Sequence, residues 1–288
     1  DEADIVKTDG KYIYIAGNNV VRIVGTDHGK LSDGTAIRLS TDKNVQEIYM
    51  DGNRLIVLGT RSYDSGVYPG VFDPAGPIDE GPAASLLENG KIGILPYYSK
   101  TFSFADVYDI SNPLRPIFLK GHEMQGSYQS SRKSGEIVYL VTNTYPSGGG
   151  LLPMMRDTAV SNQEFSMKLG DVMIMPKHPC PGYLVISAVN VQNEEKAEVE
   201  ARTAYGATMY MNESSMYLAF GNSGNSTSII KFELEGMKVG YAGSGTVPGQ
   251  LLNQFSMDEY EGNLRVATTV WEKNSNGLFI LDHSLNIV

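Results

Sequence analysis

The sequence predicts an all-β fold made of one small antiparallel sheet repeated along the chain. Three observations predict it. The first is composition: 17 Tyr and 31 Gly in 288 residues, with 41% hydrophobic and 19% charged, suit strands and tight turns and supply a packed core. The second is local pattern, short β-rich runs broken by Asp-Gly, Asn or Ser-Gly turns, which read as hairpins. The third is recurrence of the same strand–turn–strand–strand phrase about five times, at roughly 40 residues per copy without its insertions.

In the first copy, residues Ala3 to Lys7 run into Asp9-Gly10, and Tyr12 to Ala16 and Val20 to Val24 follow. In the second, Val45 to Met50 meets Asp51-Gly52-Asn53, then Leu55 to Leu58 and, after an interruption, Ser103 to Ile110. In the third, Ser127 to Arg132 meets Ser134-Gly135-Glu136, then Ile137 to Val141 and Gly182 to Val191. The fourth has Ala207 to Met211, Met216 to Phe220 and Ser228 to Phe232; the fifth has Phe255 to Glu259, Leu264 to Ala267 and Leu278 to Asp282. Fourth strands fall at Thr35 to Leu39, Pro116 to Gly121, Ala197 to Arg202 and Val239 to Gly243, while the fifth copy reaches only Leu285 to Val288.

A four-stranded sheet with two apolar faces cannot bury both alone. Packing face to face with neighbours about an axis does so, and the twist of the sheets makes that packing radial. The expected fold is therefore a β-propeller of about five four-stranded antiparallel blades, or an incomplete part of a larger ring. A β-sandwich predicts irregular spacing and fits less well. The blades are expected at 1–40, 45–124, 126–202, 206–246 and 251–288, within one domain. Insertions at 61–99 and 144–181 interrupt the second and third copies, each between the second and third strand. Equivalent placement predicts that both emerge at the same end of adjacent blades and together form the largest pocket.

The formal net charge of −10 argues against general binding to nucleic acid or anionic lipid. No apolar run has the length of a membrane span. With Cys180 alone, no intrachain disulfide forms. The chain opens at Asp1 without an initiator Met, which predicts that residues precede it.

No residue is assigned a catalytic role: the sequence lacks a nucleophile elbow, a zincin motif, a phosphate loop and a dinucleotide fingerprint. His178 and Cys180 could share a metal through imidazole and thiolate, but with four His and one Cys the sequence favours a Pro-stiffened loop around a thiol. No metal or cofactor is expected. The acidic residues Asp9, Asp51, Asp109, Glu261 and Asp282 sit at turns without calcium-loop spacing. Asp258 and Glu259, adjacent on a strand, point to opposite faces and do not form an acid–base pair. The candidate ligand-binding residues are Tyr97, Tyr98, Arg156, Asp157 and His178, all in the insertions.

Three stretches carry a family resemblance: DEADIVKTDG at the start, Ser131-Arg132 before Val138 to Asn143, and Leu252 to Thr269, with Val107 to Pro113 as a third-strand phrase. They resemble bacterial and archaeal secreted proteins with a C-terminal β-propeller domain distantly related to WD40 repeats. The resemblance implies an exported propeller, extracytoplasmic (secreted or at the cell surface). It implies no activity and no site residues. Members generally continue with further blades beyond the position of Val288, which puts ring closure in question.

The function expected from these readings is a non-catalytic binding or scaffold module for a protein or glycan. Alternatives are a carbohydrate- or cation-binding module, for which Tyr63, Tyr68, Tyr97 and Tyr98 would make an aromatic platform, and a propeller enzyme with its site in the central channel. Exposed faces at the two ends of an open arc would favour self-association.

Overall fold

A computed structural model describes residues 2–64, 87–88, 91–92, 99–145, 152–175, 182–222, 225–271 and 274–288. The first sheet runs β1 (Val6–Thr8), β2 (Tyr12–Gly17), β3 (Val20–Asp27) and β4 (Lys30–Arg38) in chain order. The second is built on β5 (Lys43–Asp51), β6 (Arg54–Asp64), β9 (Ser99–Asp109) and β10 (Ile117–Gln125), with a short hairpin β7 (Leu87–Glu88) and β8 (Lys91–Ile92) inside its insertion. The third contains β11 (Ser127–Ser134), β12 (Ile137–Thr144), β16 (Tyr183–Asn190) and β17 (Glu198–Arg202). The fourth is β18 (Thr208–Met211), β19 (Ser215–Asn222), β20 (Ser226–Glu235) and β21 (Lys238–Pro248). The fifth has three strands, β22 (Met257–Tyr260), β23 (Asn263–Val270) and β24 (Ser275–Leu281), with Leu281 bridged to Ile287 beyond them.

The turns explain the register. Gly52 (φ 59°) and the pair Glu261–Gly262 (φ 50° and 79°) occupy the left-handed region that a two-residue hairpin turn requires. Asp9 completes its turn by accepting from the amides of Lys11 and Tyr12 at 2.8 and 2.7 Å. Asp109 and Asp282 likewise accept from backbone amides two residues on. The turn carboxylates are thereby occupied in backbone bonding.

Alternating side chains bury both faces of the inner sheets. Tyr14, Val21 and Ile23 of the first sheet pack on Ile48, Leu55, Val57 and Phe104 of the second. The opposite face of the second sheet, with Tyr49, Ile56, Leu58 and Val107, packs on Val138 and Val189 of the third. Tyr139, Val141 and Ile186 of the third meet Met216, Leu218, Ile230 and Phe232 of the fourth. Tyr217 and Ile229 of the fourth meet Met257, Leu264, Val266 and Leu281 of the fifth. The second, third and fourth sheets are thus each sandwiched between predecessor and successor, as blades about an axis. Among the described residues no apolar cluster joins the fifth blade to the first. Their outward faces expose Val6 and Ile15 on one side and Tyr260, Leu278 and Ile280 on the other.

In the second and third blades the strand count exceeds four for a definite reason. The insertion of the third blade supplies β13 (Met154–Asp157) and β14 (Ser161–Ser166), which add to the outer edge of the second blade and make it six-stranded. The same insertion then supplies β15 (Val172–Met173), which pairs in parallel with β17 and makes the third blade five-stranded.

Candidate functional site

The two insertions leave their blades at equivalent points, after β6 and after β12, and the strand directions place both at the same end of adjacent blades. Lys100 Nζ donates to Glu164 Oε2 at 3.4 Å, a direct link between their bases. The β13–β14 hairpin is fastened to β10 by pairing of Met155, Arg156 and Asp157 with Met124, Glu123 and His122, and by Gln125 Oε1 accepting from the Met154 amide at 2.9 Å.

Arg156 and Asp157 are adjacent, so their side chains leave opposite faces of the hairpin. Arg156 pairs with Glu123, whose side chain is 1% exposed and is also held by Arg61 at 2.7 Å and Lys43 at 3.2 Å. Lys43 reaches Asp106 at 2.7 Å and lies 4.3 Å from the centre of the Phe104 ring. Arg61 also holds Asp42 at 2.7 Å. Three cations and three carboxylates therefore neutralise one another. Burial alone would raise the Glu123 carboxyl, but Lys43, Arg156 and Arg61 hold it below its ordinary value. Asp106 goes the other way: burial pushes its carboxyl up despite Lys43, and its Oδ1 has no partner. A side chain at position 121 would collide with that oxygen, with a Cβ 2.7 Å away.

On the other face, Asp157 Oδ2 lies 3.3 Å from His122 Nδ1 and accepts from the Ala197 amide at 2.8 Å. Oδ1 accepts from the Ala159 amide at 2.9 Å. Burial opposes ionisation of Asp157, but His122 and the two amides hold its carboxyl below the ordinary range. Both residues nominated from the sequence therefore occupy the hairpin's anchorage. Tyr68, Tyr97, Tyr98, His178 and Cys180 lie outside the described residues.

The anchored insertion exposes several large apolar side chains beside polar ones such as Lys168 and Asp171. At the top of the third blade Leu169 is 74% exposed, Ile174 76%, Met173 43%, Tyr145 47% and Tyr205 44%. The Met173 carbonyl accepts from the Thr203 amide at 3.2 Å, two residues from Tyr205, and the Tyr145 and Tyr205 rings stack with centres 4.4 Å apart. These residues thus form one patch. Gly182 lies against both rings, where a Cβ would come within 3.1 Å of Tyr205 and 3.3 Å of Tyr145. Sequence reasoning missed this patch because Leu169, Met173 and Ile174 look like core residues until the insertion's path is known. A groove of about 350 Å³, lined by Glu198, Val199, Glu200, Met237, Lys238 and Val239, lies at the opposite end, between the third and fourth blades.

Asp258 and Glu259 part as expected for neighbours on a strand. Asp258 pairs with Arg265, while Glu259 accepts from Tyr217 Oη at 2.6 Å and Asn212 Nδ2 at 3.0 Å. Among the described residues no three His, Cys, Asp or Glu converge as a metal-binding group, and no helix is long and apolar enough to cross a membrane.

The chain is similar to an uncharacterized protein of Archaeoglobus fulgidus, 51% identical over 63 residues that cover 22% of this chain and 9% of the relative. It is also similar to an uncharacterized protein of Methanocaldococcus jannaschii, 49% identical over 67 residues, 22% of this chain and 10% of the relative. The matches thus span about a tenth of each relative. Among solved structures, an acylaminoacyl peptidase of Pyrococcus horikoshii is similar at a TM-score of 0.39 and 13% identity, over all of this chain and 39% of that one. A family model described as a beta propeller domain matches residues 1–288, and with five sheets packed in succession about an axis the chain belongs to that family.

Proposed function

We propose that the chain is a non-catalytic binding or scaffold module that works outside the cytoplasm and takes its ligand at the insertion end of the second and third blades. The observation that carries this reading is the exposed patch of Leu169, Met173, Ile174 and Tyr145, with Tyr205 beside it, on an insertion fixed by the buried Glu123–Arg156 pair and the His122–Asp157 contact. Exposed apolar patches on a rigid support suit a partner surface, because little entropy is lost on binding. The extracytoplasmic placement rests on the resemblance to exported propellers. The stacked pair Tyr145–Tyr205 favours a second reading, a glycan ligand, since flat rings stack on sugars. We also propose self-association through the outward faces of the first and fifth blades, supported by their exposed Ile15, Tyr260, Leu278 and Ile280.

Peptide and glycan arrays probed with the wild type and with a Leu169→Asp/Ile174→Asp variant test the site. Ligands retained by the wild type and lost by the variant, at unchanged circular dichroism, are the expected result. Retention by both refutes the placement.

A further inference from the structure

Three residues far apart in the chain meet beside the inner strand of the third blade. Glu2 precedes the first blade, Arg132 lies on the inner strand β11 of the third, and Gln254 begins the fifth. The segment that carries Glu2 runs beside β5, where Asp4 bridges Ile48, and β5 neighbours β11 through Tyr49 Oη and Ser131 Oγ at 3.0 Å. Arg132 is 14% exposed in its side chain. Its Nη1 donates to the Ser131 carbonyl at 2.7 Å and to Ser130 Oγ at 3.3 Å. Its Nη2 donates to Gln254 Oε1 at 2.6 Å and lies 3.0 Å from Glu2 Oε1. Gln254 Nε2 donates to the same Glu2 oxygen at 3.4 Å.

The guanidinium is largely withdrawn from water, so an anion beside it is strongly favoured. Two donors from different blades converge on a single carboxylate oxygen, which is how a carboxylate is recognised. The carboxylate that fills the position is itself 60% exposed in its side chain and is carried ahead of β1. An exposed carboxylate of this kind is weakly held and readily exchanged.

We infer that a carboxylate-binding site formed by Arg132 and Gln254 lies beside the inner strand of the third blade, and that Glu2 occupies it as a displaceable internal ligand. A small carboxylate then competes with Glu2 for the same two donors.

The probe is propionate, the free counterpart of the Glu2 side chain, titrated against isotope-labelled protein while the backbone amides of residues 131–133 and 253–255 are followed by NMR. Glu2→Gln is expected to bind propionate about fivefold more tightly than the wild type, the competition expected of an exposed ion pair. In the Glu2→Gln background, Gln254→Ala and Arg132→Lys each weaken binding severalfold, the latter because lysine keeps the charge and loses the fork. Amide spectra matching the wild type elsewhere show that the variants are folded. Equal affinity of wild type and Glu2→Gln, no saturable binding to Glu2→Gln, or binding unchanged by both later substitutions overturns the inference. Inorganic phosphate is titrated in parallel. Tightening by the same factor as propionate overturns the assignment to carboxylates.

Discussion

Replacing Glu123 by glutamine removes the negative centre on which the insertion's anchorage depends. Glu123 is 1% exposed in its side chain and meets Lys43, Arg61 and Arg156. After Glu123→Gln, Lys43 keeps Asp106 and Arg61 keeps Asp42, but Arg156 loses its charge partner, and its Nε already has none. Removing one member of a buried pair costs about 3–5 kcal/mol, mostly as the penalty of a charge left uncompensated. With an unfolding entropy of about 2.1 cal/mol/K per residue, that loss lowers the Tm of a 288-residue chain by about 5–8 °C. The effect is directional. The β13–β14 hairpin is held to β10 on this side by Arg156, so amide exchange in 154–166 is expected to accelerate before that of β6 or β9. Urea unfolding with residue-resolved hydrogen exchange measures both. A loss below about 1 kcal/mol, with exchange in 154–166 unchanged, would show that the ion cluster does not hold the insertion.

Glu123 and Asp157 have folded pKa values below their ordinary ones, so their stabilisation is complete above the unfolded range and is lost as pH falls through the folded values, below about pH 4. Asp106, raised by burial, opposes folding when ionised and partly offsets that loss in acid; urea midpoints across acidic pH should fall less steeply in Asp157→Asn than in the wild type. Gly126→Ala should cost more than about 2 kcal/mol, because φ is 128° and a Cβ would stand 2.3 Å from the Asn143 carbonyl, whereas Gly29→Ala, at φ 77° in open space, costs about 1 kcal/mol by chemical denaturation. Light scattering after size exclusion should show mass rising with concentration in the wild type and not in Leu278→Asp/Ile280→Asp; a wild type monomeric at every concentration refutes the self-association proposal.

The repeat was legible because turn chemistry and alternation are local. Asp51-Gly52 and Glu261-Gly262 mark hairpins whatever surrounds them, and runs such as Leu55 to Leu58 and Ile137 to Val141 announce strands buried on both faces. Edges were displaced by a few residues where polar segments pair. Ser-Asp-Gly-Thr at 32–35 is strand in β4 although it reads as a turn, because β3 supplies the ladder. The hairpin at 154–166 was not legible as part of the second blade, since its pairing partner lies about thirty residues upstream and depends on how blades stack. The roles of Arg156 and Asp157 were hidden for the same reason: their partners Glu123 and His122 sit in another blade's strand. The meeting of Glu2, Arg132 and Gln254 leaves no sequence signal, because it joins positions up to 252 residues apart.

Because β13 and β14 belong in sequence to the third copy but pair with the second, no ribosome can finish the second sheet when its own four strands have emerged. The edge of β10 stays unpaired until Asp157 has been made, some thirty residues after Gln125. During that interval its bonding groups are open to any other nascent strand, a hazard common to exposed edges. Closure comes only when the third copy folds back, so the second and third units become competent together. Folding of this chain from its start therefore has a step of two repeats where a simple array would advance by one.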